Sequence, residues 1–512
     1  MVRLKDFPHP VGAIAPILVR REIAVAVNRD GGTFLVRPNS IVVTVNASEI
    51  DELSKTADRL LELLQIDCDR YESDDSERRT TTSEETNPDK MDSLDPRRRC
   101  RLVRRAGQLI IELDDVDPVE MFGERRWSVT AVNRALEALD QPDRWSVAPN
   151  HVYLGDTLFG NPVLTGNPVL TGNPVLTGNP VLTGFPVLTG FPSQGGNPPT
   201  FGTLAVPTDE VPALPSRLSS ESAGGATDEA SEPERLRRPR VAVLDSGLQT
   251  EQSESDPAIR LPLHEELRGF VVAHSGWRDR TEAGWHDDED EPDDDGSGLL
   301  DVAAGHGTFI CGVVRRLCPD AEVHVDGVLS SFGDGDDGTV VEGIERLLDR
   351  LGEGGIDVVN LSLGGYSEED EEPPLAVAIR RMLPDVLCIA SAGNAASPRP
   401  AYPASLPDVV AVGALPHDRR ARLSNFGGWV DACAPGVDVV STYLYATETD
   451  GDKRTYEGWA RWSGTSFAAP KVAAAVALEM QMFGISASEA WGRLSHWAKY
   501  RYPDLGIVFN TR

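Results

Sequence analysis

No uninterrupted run of eighteen apolar residues occurs anywhere in the 512 positions, so no membrane-spanning helix is expected. No secretory leader is expected either. Met1-Val2-Arg3-Leu4-Lys5-Asp6-Phe7-Pro8-His9-Pro10 leads into no apolar core before the charged Arg20-Arg21-Glu22, which makes the cytoplasm the expected location. Basic residues are scarce: 49 Lys and Arg stand against 81 Asp and Glu, a net charge of −32. Nucleic acid and anionic membranes are therefore disfavoured as partners. Cysteines are few. Cys68, Cys100, Cys311, Cys318, Cys388 and Cys433 show neither metal-ligand spacing nor a disulfide framework. Cys388 lies in an apolar run and Cys311 in the helix expected after His306, and the cysteines read as small buried hydrophobes. No calcium loop is convincing: Asp293, Asp295 and Gly296 suggest the spacing, but Val302 stands where the bidentate Glu belongs. No cofactor is expected, and a structural calcium is unsupported.

What is present divides the chain into three. Residues 1–155 read as a small α+β domain. Its strands are expected at Ile23 to Val27, Thr33 to Val36, Ile41 to Val45, Leu102 to Leu113 and Trp145 to Leu154, and its helices at Ala47 to Leu64 and Val129 to Leu139. An insert at 72–99, rich in Ser, Thr, Asp, Glu and Arg, reads as disordered. Residues 156–237 are low in complexity. Asn-Pro-Val-Leu-Thr-Gly begins at Asn161, Asn167, Asn173 and Asn179 and recurs with Phe185 in first place. Such a repeat could form a β-solenoid coil, but a proline in every unit removes a ladder donor each time. An extended or disordered linker is the expectation.

From 238 to 512 apolar strand-like runs alternate with helical ones. Strands are expected at Val241 to Leu244, Glu322 to Val328, Asp357 to Leu363, Val386 to Ala390 and Val409 to Ala414. Helices are expected at His306 to Leu317, Thr339 to Leu351, Pro374 to Leu383, Ser466 to Gln481 and Ala487 to Ala498. Continuously apolar strands separated by helices imply a parallel sheet covered on both faces. With right-handed crossovers this is an α/β, doubly wound, mostly parallel sheet sandwiched by helices.

Three short stretches carry chemistry. Val241-Ala242-Val243-Leu244-Asp245-Ser246-Gly247 is a strand ending in an aspartate and a turn. Gly305-His306-Gly307-Thr308 opens a helix with a histidine. Ser463-Gly464-Thr465-Ser466-Phe467-Ala468-Ala469-Pro470 is a tight turn feeding a helix, with Thr465 as its expected N-cap. A serine in that first turn meets unpaired N–H groups and the positive end of the dipole. Asp, His and Ser in this order match one chain order of a Ser-His-Asp triad. On these motifs residues 238–512 resemble the subtilisin-like serine peptidases, the subtilases.

The resemblance implies a serine endopeptidase. It implies Ser466 as nucleophile, His306 as general base and then acid, and Asp245 as the group that orients the histidine. A serine hydroxyl needs a neighbour to take its proton, imidazole titrates near neutrality, and a buried carboxylate fixes its tautomer. Ala390-Ser391-Ala392-Gly393-Asn394 resembles the family's oxyanion motif, which gives Asn394 the side-chain donor and leaves Gly393 on the substrate surface. Ser362, Leu363 and Gly364 match the pocket before the scissile bond, and Leu329 to Gly335, with Gly333, an edge that an extended peptide joins as a strand. Phe309, Phe467 and Lys471 depart from common family residues at places that perform no chemical step. Trp145 to Leu154 resembles the last strand of a subtilase propeptide, so residues 1–155 are expected as an intramolecular partner that restrains the peptidase; an unrelated accessory domain is the alternative. A regulated or inactive subtilase fold, acting as a switch with a partner, is the competing function. Acidic clusters at Asp287 to Asp295, at Asp334, Asp336 and Asp337, and at Glu368 to Glu372 suggest a preference for substrates with Arg or Lys near the scissile bond.

Overall fold

The computed structural model describes residues 23–27, 33–45, 67–72, 99–105, 108–113, 145–155, 205–209, 238–252, 260–272, 292–293, 296–351, 355–367, 372–416, 420–451 and 453–509. The expected helices at 47–64 and 129–139, the body of the 72–99 insert and the hexapeptide repeat lie outside these residues. Two compact units divide the chain, one holding 22–24 and 36–150, the other 25–35 and 151–512.

Strands β1 (Ala24–Val27), β2 (Thr33–Val45), β3 (Asp67–Glu72), β4 (Arg99–Arg105), β5 (Gln108–Leu113) and β6 (Trp145–Gly155) come first in the chain. In the first unit Ser40–Thr44 of β2 run antiparallel to β5, β5 pairs antiparallel with β4, and β4 pairs parallel with β3. Thr33 to Val45 was expected as two strands. It is one, because Pro38, Asn39 and Ser40 are accommodated in extended backbone. Conversely, the expected strand from Leu102 to Leu113 is the hairpin of β4 and β5.

The second unit is built on an eight-stranded sheet. In chain order the further strands are β7 (Val206–Pro207), β8 (Arg240–Asp245), β9 (Thr250–Gln252), β10 (Arg260–Pro262), β11 (Glu322–Gly327), β12 (Asp334–Asp336), β13 (Val358–Leu361), β14 (Leu363–Gly364), β15 (Leu387–Ser391), β16 (Val409–Leu415), β17 (Ala432–Pro435), β18 (Val439–Thr447), β19 (Thr455–Trp462), β20 (Arg501–Tyr502) and β21 (Gly506–Val508). The main sheet runs β11-β8-β13-β15-β16-β17-β21-β20. Each pair from β11 to β21 is parallel; only β20 is antiparallel. Val241, Ala242, Val243 and Leu244 of β8 are fully buried, as a strand covered on both faces requires. The α/β expectation for this unit is met.

The helices are α1 (His306–Leu317), α2 (Asp337–Leu351), α3 (Pro374–Met382), α4 (Ala469–Phe483) and α5 (Ala487–Trp497). Small residues let α4 come close to its neighbours: Ala473, Ala474, Val476 and Ala477 are buried in the main core cluster. Gly484, left-handed at φ 64°, ends α4. β18 and β19 form a long antiparallel hairpin that sequence periodicity did not reveal. β7 joins it as an edge strand, so the tract expected as pure linker contributes two residues of sheet. Cys311, Cys318, Cys388 and Cys433 are buried free thiols. Burial pushes Cys318 up to about 11 and Cys388 and Cys433 up to about 12, so all three stay protonated and act as hydrophobes. Among the described residues no helix is long and apolar enough to cross a membrane, and no group of three His, Cys, Asp or Glu side chains could hold a metal ion. The Asp293 carboxylate accepts from the Ser297 and Gly298 N–H groups, closing its own turn.

Candidate active site

Asp245 ends β8 and is fully buried. Ligand sites in open α/β sheets lie at such carboxyl ends. Its Oδ1 accepts from the Ser246 N–H at 2.8 Å and lies 2.7 Å from His306 Nδ1. A carboxylate can only accept, so Nδ1 carries the imidazole proton. That leaves Nε2 as the basic nitrogen. It is buried and has no hydrogen-bond partner.

The backbone brings the two together. His306 is the first residue of α1, and Gly305 before it is left-handed at φ 77°. The Gly307 N–H donates to Ser246 Oγ at 3.0 Å, which ties the first turn of α1 to the loop after β8. The approach is close: a Cβ on Gly307 would lie 2.2 Å from the Gly247 carbonyl oxygen. Gly307→Ala is therefore expected to push α1 away from that loop. The cost is about 1–3 kcal/mol, read as a fall in melting midpoint of roughly 2–10 °C, with turnover lost alongside. An unchanged melt and unchanged turnover would show that this contact does not set the Asp245–His306 distance.

Aromatic rings box the histidine. Trp462 meets His306 edge-on with centroids 5.3 Å apart, and Phe467 lies at 5.4 Å. Phe309 and Phe467 are 4.5 Å apart, and Phe309 also packs edge-on to Trp462. The two phenylalanines that depart from the common pattern thus pack on each other. Trp462 was not singled out in the sequence, since nothing in it distinguishes a core tryptophan from one beside a site.

Ser466 lies in a 3-10 turn, Thr465–Phe467, ahead of α4. Its Oγ donates to the Ser362 carbonyl at 3.3 Å, and Ser362 Oγ donates back to the Ser466 carbonyl at 2.9 Å. Asn360 Nδ2 supports Ser362 Oγ at 2.9 Å. The serine hydroxyl thus makes its hydrogen bond to Ser362 and not to His306. Thr465 is not the helix N-cap expected from sequence; Ala468 holds that place before α4 and Gly464 precedes the 3-10 turn, neither with a side-chain cap. The Thr465 side chain is recruited across the site: its Oγ1 donates to Asn394 Oδ1 at 2.9 Å and accepts from the Gly393 N–H at 3.2 Å. Asn394 Oδ1 also accepts the Thr465 N–H at 2.9 Å. This anchors the carbonyl end of the amide and makes Nδ2 its donor end. Asn425 buttresses the turn, accepting from the Ala395 N–H and donating to the Ala392 carbonyl. Gly393, at φ 99°, packs against Asn425, which fixes it as a turn residue.

The edge expected to take an extended peptide and the segment expected to line the pocket are both paired, and with the same strand. Val152–Gly155 of β6 run antiparallel to β12 on one side and β14 on the other. Gly335 is opposite Tyr153, Gly364 opposite Leu154 and Leu363 opposite Gly155. The Gly155 N–H donates to the Gly333 carbonyl at 2.6 Å. The charges expected along this edge are withdrawn from solvent. Asp334 accepts from Ser330 Oγ, Asp336 caps the Gly338 and Thr339 N–H groups, and Asp337 is fully buried. They line no open basic-residue funnel. Glu372, from the third cluster, pairs with Arg380; most of the other acidic positions lie outside the described residues.

A strand-end carboxylate bonded to a helix-opening histidine, with Phe467 of the serine turn packed on that histidine, is an arrangement compatible with nucleophilic hydrolysis. Comparison with known proteins narrows it. The subtilase family model matches residues 237–497, half of the chain. Subtilisin DY of Bacillus licheniformis is 34% identical over 210 residues, covering 38% of this chain and 70% of that protein. An intracellular serine protease of Paenibacillus polymyxa is 29% identical over 268 residues, 49% of this chain and 69% of that one. The crystal structure of fervidolysin from Fervidobacterium pennivorans, a keratinolytic enzyme related to subtilisin, aligns with a TM-score of 0.51 at 17% identity, over 94% of this chain and 61% of that one, a likeness of fold. The chain belongs to the subtilase family and is a subtilisin-like serine endopeptidase.

Proposed function

We propose that Ser466, His306, Asp245 and Asn394 hydrolyse peptide bonds in protein or peptide substrates, and that the end of the N-terminal segment restrains them. The observation that carries the first part is the 2.7 Å contact between His306 Nδ1 and Asp245 Oδ1, which leaves Nε2 as the basic nitrogen. Rotation of the Ser466 side chain from the Ser362 carbonyl to Nε2 sets up proton transfer. Ser466 Oγ then attacks the carbonyl carbon, and His306 takes its proton. Negative charge moves to the carbonyl oxygen, where Asn394 Nδ2 and the Ser466 N–H donate to it. His306 returns the proton to the leaving amine, giving an acyl-enzyme that water cleaves by the same cycle. The aromatic box of Trp462 and Phe467 keeps water from the imidazole and so strengthens its bond to Asp245. A fluorophosphonate should label the protein at Ser466, and His306→Ala should abolish labelling. Labelling that survives His306→Ala would remove the histidine from the mechanism.

The restraint rests on Val152–Gly155, which pair with both edges a substrate needs. A proline at 154 takes away an N–H from this strand. In the full chain Leu154→Pro is therefore expected to speed fluorophosphonate labelling on the order of tenfold. No change in rate would show that the strand does not limit access to Ser466.

A further inference from the structure

Backbone pairing with β12 and β14 is open to any extended peptide, so the choice among peptides falls to the side chains. Tyr153 shows what one side-chain position is built to hold. The residue is 1% exposed. It lies against Gly365, where an added Cβ would come 3.2 Å from the ring Cδ1. Its hydroxyl donates to Asp337 Oδ1 at 2.7 Å.

Asp337 is the first residue of α2 and is fully buried. The Leu375 N–H, in the first turn of α3, donates to the same Oδ1 at 3.0 Å. The His151 N–H donates to Oδ2 at 2.9 Å, with His151 Nδ1 at 3.2 Å. Burial, then the charges of Asp337 and Asp336, push the Tyr153 phenol well above its ordinary value, so it stays a donor.

We propose that Asp337 is a specificity-determining residue that reads a phenolic hydroxyl, so that the enzyme prefers tyrosine at the substrate position Tyr153 now fills. This rests on the reading of β12 and β14 as the substrate edges. The register gives the position. Gly155 is opposite Leu363, so the next residue of an added peptide faces Ser362, whose carbonyl holds Ser466 Oγ. The scissile bond follows that residue, which puts the tyrosine fourth before it.

The selection follows from which donors a substrate brings. When a peptide replaces β6, the N–H at the His151 position comes with any residue except proline. The phenol comes only with tyrosine. With phenylalanine there, Oδ1 keeps the Leu375 N–H alone and a buried carboxylate loses a charged hydrogen bond. Sites built to bond a hydroxyl reject the analogue that lacks it, because their own polar group is left unpaired.

The test uses the full chain and peptides that differ only at the fourth residue before the scissile bond: tyrosine, O-methyltyrosine, phenylalanine, leucine or arginine. Tyrosine is expected to exceed phenylalanine in kcat/KM by roughly 10- to 100-fold, and O-methyltyrosine to do no better than phenylalanine. In Asp337→Ala the tyrosine-to-phenylalanine ratio should fall to about one. That ratio does not depend on how much of the variant folds, and if none folds the wild-type series decides alone. Equal rates for tyrosine and phenylalanine, a preference for arginine, or an unchanged ratio in Asp337→Ala would overturn the proposal while leaving the peptidase site standing. A protein that neither takes up fluorophosphonate nor cleaves any of the peptides would overturn the reading of the site, and this inference with it.

Discussion

Ser466→Ala is expected to lower kcat by about 10⁶-fold, because the members of a triad act as a unit. The structural cost is small by comparison. The substitution removes one hydroxyl and its 3.3 Å bond to the Ser362 carbonyl, worth about 1 kcal/mol at most. The Ser362 Oγ bond to the backbone carbonyl of residue 466 is kept, since it uses no side-chain atom of that residue. Melting should therefore hardly move while turnover collapses. A comparison of initial rates and thermal melts for the two proteins checks this. Hydrolysis that persists at a tenth of the parent rate, in protein free of contaminating peptidase, would exclude Ser466 as the nucleophile.

Asn394→Ala is expected to cost roughly 10²–10³ in kcat with little change in KM. Two effects are mixed in it. The proposed amide donor to the oxyanion disappears, and so do the two bonds by which Asn394 Oδ1 holds the Thr465 N–H and hydroxyl. Thr465 adjoins Ser466, so the second loss loosens that serine as well. Asn394→Asp separates them. It keeps an oxygen for Thr465 but replaces the donor with a charge that repels the oxyanion. The aspartate variant should fall at least as far as the alanine variant in kcat, and its melting midpoint should stay closer to the parent. If Asn394→Asp instead keeps most of the activity, the residue serves Thr465 and not the transition state.

The parts of this site that could be read from sequence are those fixed by local pattern. The helix from His306 to Leu317 was placed to the residue, because Gly305, an apolar periodicity and terminal arginines mark both its ends. β8 is legible because four apolar residues in a row, Val241 to Leu244, leave few alternatives. The rest depends on partners far away in the chain. Thr465 has the composition of an N-cap, but Asn394, 71 positions earlier, offers its side chain a better partner than the helix does. β14 is two residues long and exists only because β6 lies beside it. In sequence Asp337 belongs to an acidic cluster on the expected peptide edge; its burial follows from the meeting of α2, α3 and β6, which no window of sequence contains. The β18–β19 hairpin escaped notice because its inward and outward residues do not alternate cleanly along β18.

Val152–Gly155 and the two edges they occupy belong to one polypeptide. Under the restraint proposed above, occupancy of the site by this strand is independent of dilution: it is a ratio of populations and not a titration. A substrate meets only the fraction of molecules whose edges are vacant, so its apparent affinity is weakened by that fraction. Saturating substrate can overcome this, but diluting the enzyme cannot. One backbone cut between Gly155 and Ala205 changes the order of the process. The strand becomes a separate molecule, its rebinding becomes bimolecular, and dilution then releases it. Before the cut, specific activity should not change with enzyme concentration; after it, specific activity should rise as the enzyme is diluted.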